Sequence, residues 1–225
     1  MSGGYALLWS GGKDSALALQ RARAAGLDVK RLLSFHDSST GRVRFHATRV
    51  ELIAAQAHAA GVELTSLGTT WEEMESRLRL ELATLASAGF RGVVLGDIHL
   101  ADVRAWYEER VSAAGLEHVE PLWHEPPLAL LEEFVGGGGR AVVTCVDLEK
   151  LDGAWLGRVI DAGFVRDVLR AGVDPCGENG EYHSFAFAGP VFKPAVAWTP
   201  GPHRSDGRFA QLDILPGEQA NSRSA

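Results

Sequence analysis

The stretch that decides the architecture is Tyr5–Leu19, YALLWSGGKDSALAL. Its apolar start, Ala6 to Trp9, has the length of a short buried strand. The Ala/Leu run behind Lys13 has helical periodicity and reaches Gly26, a residue suited to ending a helix. Between them stand Ser10, Gly11, Gly12, Lys13, Asp14 and Ser15. A glycine pair between a strand and a helix N-terminus lets backbone N–H groups converge on an anion, and the helix dipole favours negative charge there. Two hydroxyls and a lysine add to that, so phosphate is the expected ligand, with Asp14 available to hold Mg²⁺ or to pin the loop. The spacing is neither G-x-x-x-x-G-K-[ST] nor G-x-G-x-x-G, which sets aside the P-loop and the dinucleotide fingerprint.

Working outward, apolar runs at 5–9, 29–35, 62–67, 92–96, 116–122 and 140–146 alternate with helical stretches at 13–25, 48–60, 71–88, 102–114 and 126–135. That alternation predicts an α/β fold, a doubly wound, mostly parallel Rossmann-like sheet. Gly26, Gly61, Gly89 and Gly115 stand where helices should end, and Thr70 with Glu73 forms a capping box. After residue 115 proline and glycine become denser, predicting a smaller α+β C-terminal domain over 116–215 that shapes the substrate site. This domain closes with a hairpin, PAVAW and RFAQLDI around the turn TPGPHRSDG, and residues 216–225 are expected to be a flexible tail.

Among 225 residues the formal net charge is −7, so neither nucleic acid nor a membrane surface is an expected partner. No apolar run approaches the roughly 18 residues a span needs, and no signal-like N-terminus is present. Two cysteines, Cys145 and Cys176, fit a reducing compartment. The expected location is the cytoplasm.

Two further clusters carry chemistry. In VVLGDIHLADVRAWYEE, residues 93–109, a strand ends in Gly96-Asp97 at the sheet edge where ligands of open α/β folds bind. Asp102 and Arg104 follow on the opening turns of a helix. In DPCGENGEYHSFAFAGPVF, residues 174–192, Glu178, Asn179, Glu181, His183 and Ser184 crowd titratable and polar groups among glycines. His46, on a loop after the second strand, is the remaining candidate. Lys13, Asp97, Glu178, Glu181 and His183 are the candidate catalytic groups. His46, Asp102, Arg104, Asn179 and Ser184 are the candidate substrate contacts.

SGGKDS, the His46–Gln56 segment, GDI-x₃-D-x-R-x-W, PLW and DPCGENGEYH together resemble the diphthine–ammonia ligase family, N-type ATP pyrophosphatases of the adenine nucleotide alpha-hydrolase-like superfamily. The resemblance spans roughly residues 5–192. It implies that the loop, the PP-loop of this family, grips the β- and γ-phosphates of ATP. Ser10, Lys13 and Ser15 would stabilise the departing pyrophosphate, Mg²⁺ would offset its charge, and the adenine would rest near Ser34 and Phe35. The implied reaction is adenylation of a carboxylate and its amidation by ammonia, with Glu178, Glu181 or His183 as the base. The implied acceptor is a carboxylate-bearing partner, in archaea and eukaryotes the modified histidine of elongation factor two. No glutaminase Cys-His-Glu signature is present, so ammonia is expected as ammonium or from a partner, and a homodimer is compatible with this reading. Two alternatives compete. A sulfur-transferring PP-loop enzyme on tRNA is disfavoured by the lack of a cysteine pair, and a non-catalytic adenine-nucleotide sensor has little use for the 174–184 cluster.

Overall fold

The computed structural model describes residues 3–218, and the tail expected at 216–225 lies outside them from residue 219 onward. The first half alternates strand and helix: β1 Tyr5–Leu8, α1 Lys13–Ala24, β2 Val29–Asp37, β3 Arg42–Val43, α2 Val50–Ala60, β4 Glu63–Thr69, α3 Met74–Ser87, β5 Gly92–Val94, α4 Ala101–Ala113 and β6 Glu117–Val119. β1 pairs in parallel with β2 and β5, β2 with β4, and β5 with β6, while short β3 lies antiparallel on His36–Asp37 of β2. The parallel order β4-β2-β1-β5-β6 runs outward from β1 in one direction and then in the other. The switch point is therefore between β1 and β5, whose carboxyl ends carry SGGKDS and Gly96-Asp97, and such a crevice is where doubly wound sheets bind ligands.

Alternating side chains cover both faces of this sheet. Leu7, Leu32 and Val94 pack into one core with α1 and α2 residues such as Leu17 and Leu52. Ala6, Leu33 and Val93 pack into another with Leu78, Leu82 and Val111 of α3 and α4. The four glycines expected at helix ends all lie at positive φ. The capping box forms as read, Thr70 N donating to Glu73 Oε2 and Glu73 N to Thr70 Oγ1, each at 3.2 Å.

The second half contains α5 Pro127–Gly136, β7 Arg140–Asp147, β8 Val159–Ile160, α6 Ala162–Ala171, β9 Tyr182–Ala188, β10 Trp198–Ser205 and β11 Phe209–Pro216. β7 is the centre of an antiparallel sheet, paired with β8, β9 and β11, and β10 pairs with β11. Its core is continuous with the α1/α2 side of the first sheet through Leu130, Phe134, Val142 and Phe185.

Three local expectations are corrected. The strand expected over 116–122 is only Glu117–Val119, because Pro121 opens a turn. α6 was not anticipated, although Asp161 caps it by accepting from Gly163 N and Phe164 N at 2.8 and 2.9 Å. The C-terminal hairpin is longer than expected: residues read as its turn form β10, and Pro194–Ala197 are not a strand. Pro200 and Pro202 are tolerated because β10 pairs on one side only and its register shifts between Pro200 and His203. Among the described residues no helix is long and apolar enough to cross a membrane.

Candidate functional site

The sheet's carboxyl edge opens into a cleft of about 930 Å³, at the upper end of the range for small-molecule sites. Its floor is the loop between β1 and α1. Gly11 has φ 81°, a left-handed conformation that favours glycine. A Cβ on Gly12 would stand 2.8 Å from His46 Cε1, so only glycine lets that imidazole lie on the loop. Gly12 N and Lys13 N meet only hydroxyls, Ser10 Oγ at 3.2 Å and Ser184 Oγ at 3.3 Å. Both are long bonds that an incoming phosphate oxygen can replace.

A buried amide fixes the loop from behind. Gln56 of α2 accepts from Trp9 Nε1 at 2.9 Å and donates to Gly11 O at 2.9 Å and Ala186 O at 2.6 Å. Ala186 N in turn donates to Gly11 O at 2.9 Å. Loop, α2 and β9 are thus joined through one side chain.

Lys13 is buried, which alone would lower its pKa, but Asp14 beside it, together with Tyr182 and Cys176, raises the value well above that of a free lysine. Its Nζ donates to Asp14 Oδ2 at 2.8 Å and to Cys176 O, and lies 5.1 Å from the centre of the Tyr182 ring. Around this cation the cleft carries Asp14, Glu72, Glu75, Asp97, Asp102 and Glu178, against only Lys13 and Arg44 among the described residues. Burial first, then Asp14, pushes Asp97 up to about 6 and Glu178 up to about 8. A donor set of mutually repelling carboxylates beside a phosphate-shaped loop suits a divalent cation. Among the described residues, no group of three or more His, Cys, Asp or Glu forms a metal cage. One or two carboxylates completed by substrate phosphates is the mode Mg²⁺ ordinarily uses. Asp14 and Asp97 are the cleft carboxylates that could hold such an ion.

The His46 and His183 rings lie side by side with centroids 4.9 Å apart, tilted 51° to one another. His46 Nδ1 lies 3.0 Å from Ser184 O, so that nitrogen carries the proton. Burial, then His46 and Lys13, depress His183 to about 3, while burial lowers His46. Both imidazoles are therefore neutral near pH 7.

The structure brings Ser10, Lys13, Asp14, Ser15, Phe35, His46, Gly96, Asp97, Asp102, Glu178, His183 and Ser184 together around the cleft. Gly96 packs its Cα against Asp14, where a Cβ would come within 3.3 Å of the backbone. Six candidates do not line it, two of them Gly11 and Gly12 of the loop itself. Glu181 is buried in its own loop, accepting from Asp174 N and Asn179 Nδ2 at 3.3 Å. Asn179 is exposed and its carbonyl accepts from Lys150 Nζ. Arg104 leans over Trp123 at 4.6 Å and pairs with Glu120 at 3.3 Å and Glu108 at 3.5 Å. Ser34 is buried on the far face of β2 from Phe35.

Sequence reasoning passed over Gln56 as an individual residue and also Tyr107 and Glu120. Tyr107 lines the cleft beside Asp97. Glu120 follows β6 as Asp97 follows β5, a sheet-edge signal that could have found it, and burial pushes it up to about 7.

This electrostatic arrangement sets a stability profile. A carboxyl whose folded pKa exceeds its unfolded value near 4 holds a proton that the unfolded chain has lost, so raising pH to its folded pKa costs stability. The depressed histidines act oppositely, but only below about pH 6.5. The ligand-free melting temperature should therefore fall from about pH 6.5 to about 8.5, and Glu178→Gln should flatten that fall. A wild-type curve flat across this window in a scanning calorimeter would refute the carboxylate cluster.

Residues 3–118 match the family model described as diphthamide synthase N-terminal domain, and residues 126–200 match that of the diphthamide synthase C-terminal domain. No curated protein matches the chain.

Proposed function

The chain belongs to the diphthamide synthase family, and from that premise we propose that it is an ATP-dependent, AMP- and pyrophosphate-forming amide ligase. The observation that carries the proposal is Glu178, raised to about 8, in the same cleft as the buried cation Lys13 and the glycine loop. A PP-loop needs the lysine and the amides, whereas a sensor has no use for a carboxyl poised near neutrality.

In this reading a substrate carboxylate attacks the α-phosphorus, forming an acyl–adenylate and expelling pyrophosphate. The amides of Gly12 and Lys13, the Lys13 ammonium and the Ser10 and Ser15 hydroxyls receive the charge that develops on the leaving group, a preorganised electrostatic role. Mg²⁺, held by Asp14 and Asp97, would offset phosphate charge when bound. Glu178 takes a proton from ammonium, and the ammonia so formed attacks the acyl carbon; the acyl–phosphate C–O bond breaks, and AMP leaves carrying on its phosphate the surplus proton of the new amide nitrogen. A general base works best with a pKa near the working pH. On that criterion Glu178 is favoured over His183, whose value near 3 makes it a weak proton acceptor, and over Glu181, which does not reach the cleft. The acceptor carboxylate in the diphthamide pathway, on a modified elongation factor, is the first substrate to test.

The sulfur-transfer alternative gains no support from the cysteines. Cys176 Sγ donates to Pro127 O at 3.2 Å and burial raises its pKa, while Cys145 in β7 is pushed up to about 11. Neither is an activated thiolate.

The test is product analysis with ATP, Mg²⁺, ammonium and a panel of carboxylate acceptors. AMP formation should require both ammonium and one acceptor, and its rate should rise with pH up to about 8, an inflection lost in Glu178→Gln. ADP as the product, or AMP formation indifferent to ammonium, would overturn the proposal.

A further inference from the structure

Asp213 of β11 is buried, yet both its oxygens are fully engaged. Arg42 donates to Oδ1 and Oδ2 at 2.8 Å each, and Arg49 donates to the same two atoms at 3.0 and 2.8 Å. Arg42 and Arg49 also form an isolated antiparallel bridge, so they are the two ends of one closed loop. That loop carries Arg44, Phe45 and His46 into the cleft. Its backbone is strained: Phe45 and Ala47, neither a glycine, have φ of 63° and 55°. Such conformations persist only where the surroundings over-determine them. Here the surroundings are Arg42 Nη1 on Ala47 O at 2.9 Å and Val43 N on Thr48 O at 2.8 Å, with the Asp213 fork beneath. His46, at the loop's tip, lies against Gly12 and bonds to Ser184 O.

We propose that Asp213, contributed by the C-terminal hairpin beyond the family-matched residues, is a positioning residue for the nucleotide loop. It staples the ends of the 42–49 loop so that His46 is pressed onto Gly12. The inference rests on the proposed nucleotide site for its functional consequence, but not for its structural one.

The experiment compares full-length wild type with Asp213→Asn and Asp213→Glu, all held well below their melting temperatures. The ligand-free readout is the imidazole NMR signals of His46 and His183. The ligand readout is ATP affinity by calorimetry. As a control, Val142→Ala weakens the second sheet's core without touching the staple. We expect Asp213→Asn to shift the His46 and His183 signals and weaken ATP binding about tenfold, Asp213→Glu to restore part of both, and Val142→Ala to lower the melting temperature alone. Unmoved imidazole signals in a folded Asp213→Asn protein would overturn the proposal, as would equal shifts in Val142→Ala. Shifted imidazoles in Asp213→Asn, together with a wild type that binds no ATP, would uphold the staple and refute the nucleotide reading instead.

Discussion

Lys13→Met should lower the rate of AMP formation by about 10²–10³-fold, the usual loss when one preorganised donor to a developing oxyanion is removed. Methionine nearly conserves volume, so the pocket beside Tyr182 stays filled. What disappears is the cation beside the carboxylates Asp14, Asp97 and Glu178, leaving Arg44 as the one other lysine or arginine lining the cleft among the described residues. In the proposed reaction the charge that Lys13 meets grows as pyrophosphate leaves, so the effect should fall mainly on kcat. Steady-state kinetics on protein shown to be folded by circular dichroism separate the cases. A change confined to KM, or a loss smaller than tenfold, would reduce Lys13 to a ground-state contact. Asp14 would also lose its 2.8 Å partner, so a lower melting temperature should accompany the kinetic loss.

Gln56→Leu should produce the largest loss of stability among single changes near the cleft. The amide is completely buried and makes three hydrogen bonds. Leucine would leave the Trp9 indole N–H without its acceptor and Ala186 O without this donor, whereas Gly11 O keeps Ala186 N. Orphaning a buried polar group costs about 1–3 kcal/mol, so a total of about 2–4 kcal/mol is expected, a large share of a typical domain's 5–15 kcal/mol. Urea unfolding followed by far-ultraviolet circular dichroism measures it, and a loss below about 1 kcal/mol would show that Gln56 is not a clamp. The indole N–H resonance of Trp9 is a local reporter that should move in the folded variant. Because Gly11 would lose one of its two tethers, nucleotide affinity should weaken as well.

The two changes differ in kind. In the proposed reaction Lys13 acts on charge that appears as the reaction proceeds, whereas Gln56 acts on the geometry that the loop has before any ligand arrives.

Much of this was legible from local pattern. A strand, SGGKDS and a helix occupy contiguous residues, so the anion-binding loop follows from turn chemistry and dipole direction alone. Alternating strand and helix periods likewise determined a doubly wound sheet, and placing Gly96-Asp97 at a strand's end put it at the ligand edge. Where local signals were weak, reading faltered. α6 has a good cap at Asp161, but it follows the two-residue β8. β10 was hidden by its prolines, which only an edge strand accepts.

Tertiary structure alone decided which polar residues share the cleft. Glu178 and Glu181 are three residues apart and look equivalent in the chain. Gly177 and Gly180, at φ 73° and 82°, turn the backbone around them so that one faces Lys13 and the other its own loop. Gln56 meets Ala186 across 130 residues, and Arg49 meets Asp213 across 164. A lone glutamine in an alanine-rich helix, or a lone aspartate in a hairpin strand, carries no mark of such a partner. Sequence by itself therefore determined the strand–loop–helix unit and the fold class, because these rest on neighbours along the chain. The poised carboxyl, the buried clamp and the C-terminal staple depend on burial and pairing between distant segments, and those exist only once the chain has folded.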